Sequence, residues 1–190
     1  MANPRIIGLL GGSFNPAHAG HVAVSREAMK TLGLHSVWWL VSPQNPLKSH
    51  DDMASYDKRI ATAQRVAASH SAIHISNIEQ QHGTQYTVDT LEVLIRTYPN
   101  VRFVWLMGAD NLAQMHQWHH WRHIFSMVHI AVYDRRPHSM CALRSKAART
   151  YEKHRVSPRL LTASPLPAWC FIHGKRHPLS ATKIRNSLGF

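Results

Sequence analysis

His18 and His21 stand three residues apart at the end of the run Gly11-Gly12-Ser13-Phe14-Asn15-Pro16-Ala17-His18-Ala19-Gly20-His21. An imidazole donates hydrogen bonds and becomes cationic close to neutral pH, so two of them aimed at one place suit phosphate oxygens. On a helical first turn this spacing puts both rings on one face. Gly11 and Gly12 allow a tight turn and a close backbone approach to a ligand, with no Cβ in the way. A helix start behind them adds unpaired N–H groups and the positive end of the helix dipole. Together these residues predict a nucleotide-phosphate site.

The elements that must hold this turn flank it. The apolar run Ile6-Ile7-Gly8-Leu9-Leu10 reads as a strand, and Val22-Ala23-Val24-Ser25-Arg26-Glu27-Ala28-Met29 reads as a helix. The same alternation continues along the chain. Strands are predicted over 5–10, 37–41, 73–76, 101–107, 129–133 and 169–172, and helices over 20–32, 56–70, 88–98, 111–124 and 142–153, with a last helix near 181–188. Proline-containing stretches at 43–46 and 158–167 read as loops. Short apolar strands alternating with helices predict an α/β fold, a Rossmann-like doubly wound parallel sheet with helices on both faces. Ligands in such sheets gather beyond the carboxyl ends of the strands, where the glycine turn lies. The turn is neither a P-loop, since no Gly-Lys-Ser or Gly-Lys-Thr occurs, nor a GxGxxG dinucleotide fingerprint.

Other segments carry candidate chemistry, each beside a plain structural reading. Pro43-Gln44-Asn45-Pro46-Leu47-Lys48 is stiffened by two prolines and can hold Lys48 over a phosphate, or leave it solvated. Thr87 reads as a helix N-cap, with Asp89 a first-turn charge suited to the dipole. Gly108 and Asp110 close the fourth strand, where Asp110 is placed to accept ribose hydroxyls. Trp118 and Trp121 lie three apart on the predicted helix; Trp121 reads as core, and Trp118 as a stacking surface for a flat, cationic aromatic ligand. His116, His119, His120 and His123 share that stretch, but without acidic ligands or an HExxH pattern they read as surface residues rather than a metal site. Ser180 or Thr182 can cap the last helix, and Arg185 on its first turn can reach an anion there.

Gly11–His21 resembles the (H/T)xGH signature of the nucleotidyltransferase superfamily. In its fuller form, GGSFNPxHxGH, it is similar to the bacterial nicotinate mononucleotide adenylyltransferases. Four further segments resemble that family in the same order: the PxxxPxK pattern at 43–48 with Arg59 downstream, Tyr86-Thr87-Val88-Asp89-Thr90-Leu91, Gly108/Asp110 followed by Trp118, and Leu179-Ser180-Ala181-Thr182-Lys183-Ile184-Arg185. In the last, Ala181 replaces a serine of the family pattern and removes one hydroxyl, and Leu179 replaces isoleucine. Asn15 stands where many members carry aspartate, which weakens any metal-contacting role there.

The resemblance implies transfer of AMP from ATP to the 5′-phosphate of nicotinate mononucleotide, releasing pyrophosphate. It implies that His18, His21, Lys48 and Arg185 form the catalytic set. ATP would be bound by Gly11, Gly12, Ser13, Phe14, His18, His21, Gly108, Asp110, Ser180, Thr182 and Arg185. Nicotinate mononucleotide would be held by Asn15, Lys48, Tyr86, Thr87, Trp118 and His119. Mg²⁺ is expected to arrive on the ATP phosphates rather than in a protein cage. Nicotinamide mononucleotide and phosphopantetheine are the alternative acceptors.

Composition sets outer limits. With 190 residues, 44% of them hydrophobic, the chain is expected to form a single nucleotidyltransferase domain over 1–190. No apolar run approaches the roughly 18 residues of a membrane span. Cys141 and Cys170 fit neither a disulfide framework nor a zinc pattern, and are expected to be reduced packing residues of a cytoplasmic protein. The 22 basic residues against 10 acidic ones give a net charge of +12, which favours polyanionic partners. A basic nucleic-acid-binding module is the rival class, but the strand–turn–helix opening argues against it. Much of the surplus charge falls between residues 135 and 159 and reads as a solvated basic face.

Overall fold

The structure is a computed structural model and describes residues 4–43, 53–134 and 139–173. Six strands form one sheet: β1 (Arg5–Gly12), β2 (Ser36–Val41), β3 (Ile73–Ser76), β4 (Val101–Gly108), β5 (His129–Tyr133) and β6 (Trp169–Ile172). Their order is β3-β2-β1-β4-β5-β6 and every neighbouring pair is parallel. The order reverses between β1 and β4, so a crevice opens beyond their carboxyl ends. All six strands expected from the sequence are present, with β1 running two residues further, to Gly12.

Both faces of the sheet are buried, because side chains alternate along each strand. On β4, Phe103, Trp105 and Met107 point into one core together with Leu9, Leu91, Ile124 and Phe125. Val104 and Leu106 point into the other, with Val22, Ala28, Trp39 and Ala63. The helices α1 (Ala19–Leu32) and α2 (Tyr56–Ala67) cover the second face. The helices α3 (Ile78–His82), α4 (Thr87–Thr97), α5 (Ala109–Gln114) and α6 (Trp121–Met127) contribute to the first. Two short helices, α7 (Ser139–Leu143) and α8 (Lys146–Thr150), follow β5.

Several helical expectations need correction. The single helix predicted over 111–124 is three pieces: α5, a 3-10 turn at Met115–Gln117, and α6. The backbone leaves the helical path at Trp118, which is extended, and at His120, whose φ of 45° is left-handed. Packing overrides local propensity here: the break lets Leu112 and Met115 on one side, and Trp121, Ile124 and Phe125 on the other, all reach the core. The helix predicted over 142–153 is also interrupted. Ser145 accepts a hydrogen bond from Ala148 N and thereby starts α8 as a new element. The stretch 158–163, expected as loop, is a 3-10 helix beginning at Pro158, and α3 was not foreseen. Thr87 is the first residue of α4, with Tyr86 at the N-cap, so its hydroxyl is not the cap. Cys170 is buried as expected, but Cys141 is exposed.

Gly11 shows how the sheet accommodates the site. A Cβ there would lie 2.6 Å from the Cη2 atom of Trp105, a rigid and buried ring. Gly11→Ala should therefore lower unfolding stability in urea by about 1–3 kcal/mol. The loss should shrink in a Trp105→Phe background, where the smaller ring leaves room; an equal loss in both backgrounds would refute the steric account.

Candidate active site

The glycine turn is built at the end of β1. Ser42 N donates to Gly12 O at 3.0 Å, tying the turn to the end of β2. Phe14 then adopts a left-handed φ of 47° and buries its ring against Trp39, the centroids 5.1 Å apart and the planes 17° from parallel. Trp39 Nε1 donates to Ser25 Oγ at 2.8 Å, and Ser25 Oγ donates to His21 O at 2.9 Å. The floor beneath the turn is thus an aromatic stack held by one hydroxyl on α1.

His18 occupies the N-cap of α1 rather than its first turn, and its buried ring still lies next to His21, with centroids 3.9 Å apart. Gly20 N donates to His18 Nδ1 at 3.0 Å, and His18 N donates to His21 Nδ1 at 3.1 Å. This is a reciprocal capping box made from two imidazoles. It fixes the chemistry of both rings. A nitrogen that accepts cannot carry the proton, so each neutral imidazole holds its hydrogen on Nε2. The helix start therefore presents two Nε2–H donors, the arrangement a phosphate needs.

Gly11 and Gly12 on β1 and Gly108 on β4 end adjacent strands, and Tyr133 pairs beside Gly108 on β5. Asp110 follows in the first turn of α5, half-buried. Ser13 is half-buried in the turn. Asn15, expected to meet substrate, uses its Oδ1 to accept from Ala54 N at 3.2 Å, so that oxygen braces the segment before α2.

The break between α5 and α6 brings the remaining candidates together. His119 faces Tyr86 across 4.5 Å of ring separation, which places the 118–120 turn against the start of α4, where Thr87 stands. Trp118 is half-buried and meets Trp105 edge-on at 6.3 Å. Since Trp105 also fills the space above Gly11, one indole links the glycine turn to Trp118. Trp121 is buried in the core. The neighbouring histidines scatter: His123 pairs with Glu92 at 3.7 Å, while His119 and His120 contact each other. Among the described residues no group of three or more His, Cys, Asp or Glu side chains is placed to hold a metal ion. Lys48, Ser180, Thr182, Arg185 and the helix expected near 181–188 lie outside the described residues.

Two charged residues beside the turn, the buried Arg59 and the half-buried Glu79, were not among the expected binding residues, although Arg59 belongs to the motif resemblance. Arg59 had a readable signal, since it shares the buried face of α2 with Ala63 and Ala67 at a four-residue spacing. Glu79 had none, because α3 is too short to show a period. Burial pushes the Glu79 carboxyl up to about 7, against the lowering effect of a hydrogen bond from the Ser42 side chain.

This geometry is that of a nucleotidyltransferase: a glycine turn and an imidazole-capped helix at the switch point of a parallel sheet. The profile of the Cytidylyltransferase-like family matches residues 9–187, and the chain belongs to that family. Within it, the chain falls among the nicotinate-nucleotide adenylyltransferases. It is 47% identical over 189 residues to a "Probable nicotinate-nucleotide adenylyltransferase" of Ruegeria pomeroyi, covering 98% of this chain and 88% of the relative. A protein of the same name from Parvibaculum lavamentivorans is 49% identical over 187 residues, covering 97% and 92%. The fold matches that of Plasmodium falciparum nicotinic acid mononucleotide adenylyltransferase complexed with NaAD, with a TM-score of 0.71 at 17% identity over 96% of this chain and 83% of that one.

The Glu79 carboxyl also yields a pH dependence. Folding raises its pKa from 4.5 to about 7, so the folded protein holds a proton that the unfolded chain releases. Its contribution to stability is full below pH 4.5 and is lost as pH rises towards 7. Urea unfolding between pH 4.5 and 8 should show wild-type stability falling relative to Glu79→Gln; parallel profiles would remove Glu79 as the cause.

Proposed function

We propose that this protein transfers the adenylyl group of ATP to nicotinate mononucleotide, giving nicotinate adenine dinucleotide and pyrophosphate. The observation that carries this reading is the pair of Nε2–H donors fixed at the start of α1, in a chain of this family. The acceptor's 5′-phosphate oxygen attacks the α-phosphorus of ATP. A P–O bond forms there as the bond to the β-phosphate oxygen breaks, and pyrophosphate leaves. The attacking oxygen is already anionic, so no general base is required. Catalysis then rests on positioning and on preorganised donors at the phosphates.

In this reading His18 and His21 donate to the triphosphate, alongside the main chain of Gly11, Gly12, Ser13 and Phe14. Gly108 and Asp110 meet the nucleoside of ATP. Tyr86, Thr87, Trp118 and His119 form the nicotinate side, and their convergence from two distant segments supports it. Lys48, Ser180, Thr182 and Arg185 supply the remaining phosphate contacts. Mg²⁺ would be held by the ATP phosphates rather than by a protein cage, and would supply positive charge that offsets the triphosphate. No helix among the described residues is long and apolar enough to cross a membrane, and we place the enzyme in the cytoplasm.

Pyrophosphate release from ATP and Mg²⁺ should be strong with nicotinate mononucleotide and weak with nicotinamide mononucleotide or phosphopantetheine. Equal turnover of the acid and the amide would widen the specificity, and no turnover with any of the three would overturn the reading. His18→Asn should separate the two duties of that residue. Its side-chain oxygen can still cap α1, so thermal stability should stay near wild type, while turnover falls at least about 100-fold, the usual loss when one preorganised donor is removed. His18→Ala should lose about 1 kcal/mol of stability as well.

A further inference from the structure

Arg59 is only 2% exposed, yet among the described residues it forms no ion pair. Its guanidinium donates to main-chain carbonyls instead. Nε reaches Ala54 O at 3.1 Å, Nη1 reaches Ser13 O and Ser42 O at 2.7 Å each, and Nη2 reaches Pro43 O at 2.8 Å. Four of its five N–H groups are thus spent on three separate segments: the glycine turn, the end of β2 and the approach to α2. Burial lowers its pKa and works against the charged form, with the ring of Tyr56 5.3 Å away. An apolar side chain would fill this space at a smaller desolvation cost. What only arginine supplies is a rigid planar fork able to orient several carbonyls at once.

The Ser13 carbonyl is the telling partner. A trans peptide unit is planar, with its C=O and N–H pointing in opposite directions. Drawing Ser13 O onto Arg59 therefore turns the Phe14 N–H away from the guanidinium. It does so at the residue whose backbone is left-handed, where the chain would otherwise favour other conformations. We propose that Arg59 is a positioning residue which sets the Ser13–Phe14 peptide plane, so that the Phe14 N–H is presented to a phosphate oxygen of ATP. This rests on the adenylyl-transfer reading for the identity of the nucleotide. It adds that the shape of the turn is imposed from beneath, by a residue that touches no substrate.

Arg59→Lys and Arg59→Met should be compared with wild type for thermal unfolding and for KM and kcat towards each substrate. In variants that fold, the KM for ATP should rise at least about tenfold, more in Met than in Lys. The KM for nicotinate mononucleotide should change less than about threefold. A folded variant with wild-type KM for ATP would overturn the proposal, as would equal rises for both substrates, which mark general loosening. Should neither variant fold, the wild-type protein decides: on titration with a methylene analogue of ATP, the Phe14 amide proton should shift downfield in a ¹⁵N-correlated spectrum. A Phe14 resonance unmoved at saturation would overturn the proposal. Absence of turnover in the wild type, with the Phe14 shift intact, would instead strike the acceptor assignment.

Discussion

The first N–H groups of a helix have no partner within it, and here imidazole nitrogens supply one at the start of α1. The two hydrogen bonds, Gly20 N to His18 Nδ1 and His18 N to His21 Nδ1, leave the Nε2 atoms as the proton-bearing ends. A serine or aspartate would cap the helix equally well but would end there. An imidazole is bifunctional, and its far nitrogen stands across the ring from the capped one. Folding and ligand recognition thus draw on opposite edges of the same two rings.

Everything around this pair keeps it in place. Ser25 links the His21 carbonyl to the Trp39 indole, and Trp39 carries Phe14. On the other face Trp105 occupies the volume that Gly11 leaves open and meets Trp118 edge-on. The two layers of the core therefore each send one indole to the carboxyl end of the sheet, and the glycine turn passes between them. The buried guanidinium of Arg59 ties that turn to β2 and α2 through carbonyls that no strand or helix uses. Such a site is stiff because its backbone is held from several directions by groups that cannot easily move.

Much of this was legible in the chain. Strands such as 129–133 and 169–172 read correctly because both faces are covered, which leaves continuous apolar runs that stand out from polar surroundings. The helix at 20–32 also read correctly, and in the structure it closes on Gly33, whose φ of 66° is left-handed. The stretch 111–124 did not, because a helical pattern of apolar residues survives a break when both halves are buried in one core. That error mattered for the site. A continuous helix would have put Trp118 and Trp121 on one face, whereas the left-handed His120 separates them and turns His119 towards Tyr86.

The sequence by itself determined the order of elements, the glycine turn at the end of the first strand and the presence of two imidazoles three residues apart. These are local matters, governed by side-chain periodicity and by the few backbone shapes that glycine allows. It could not determine what would hold the Ser13 carbonyl or which rings would pack against the glycine turn. Each of those depends on atoms brought together from segments up to 46 residues apart. Hydrogen-bond direction and ring packing are settled only when the sheet closes, and tertiary structure alone decides them.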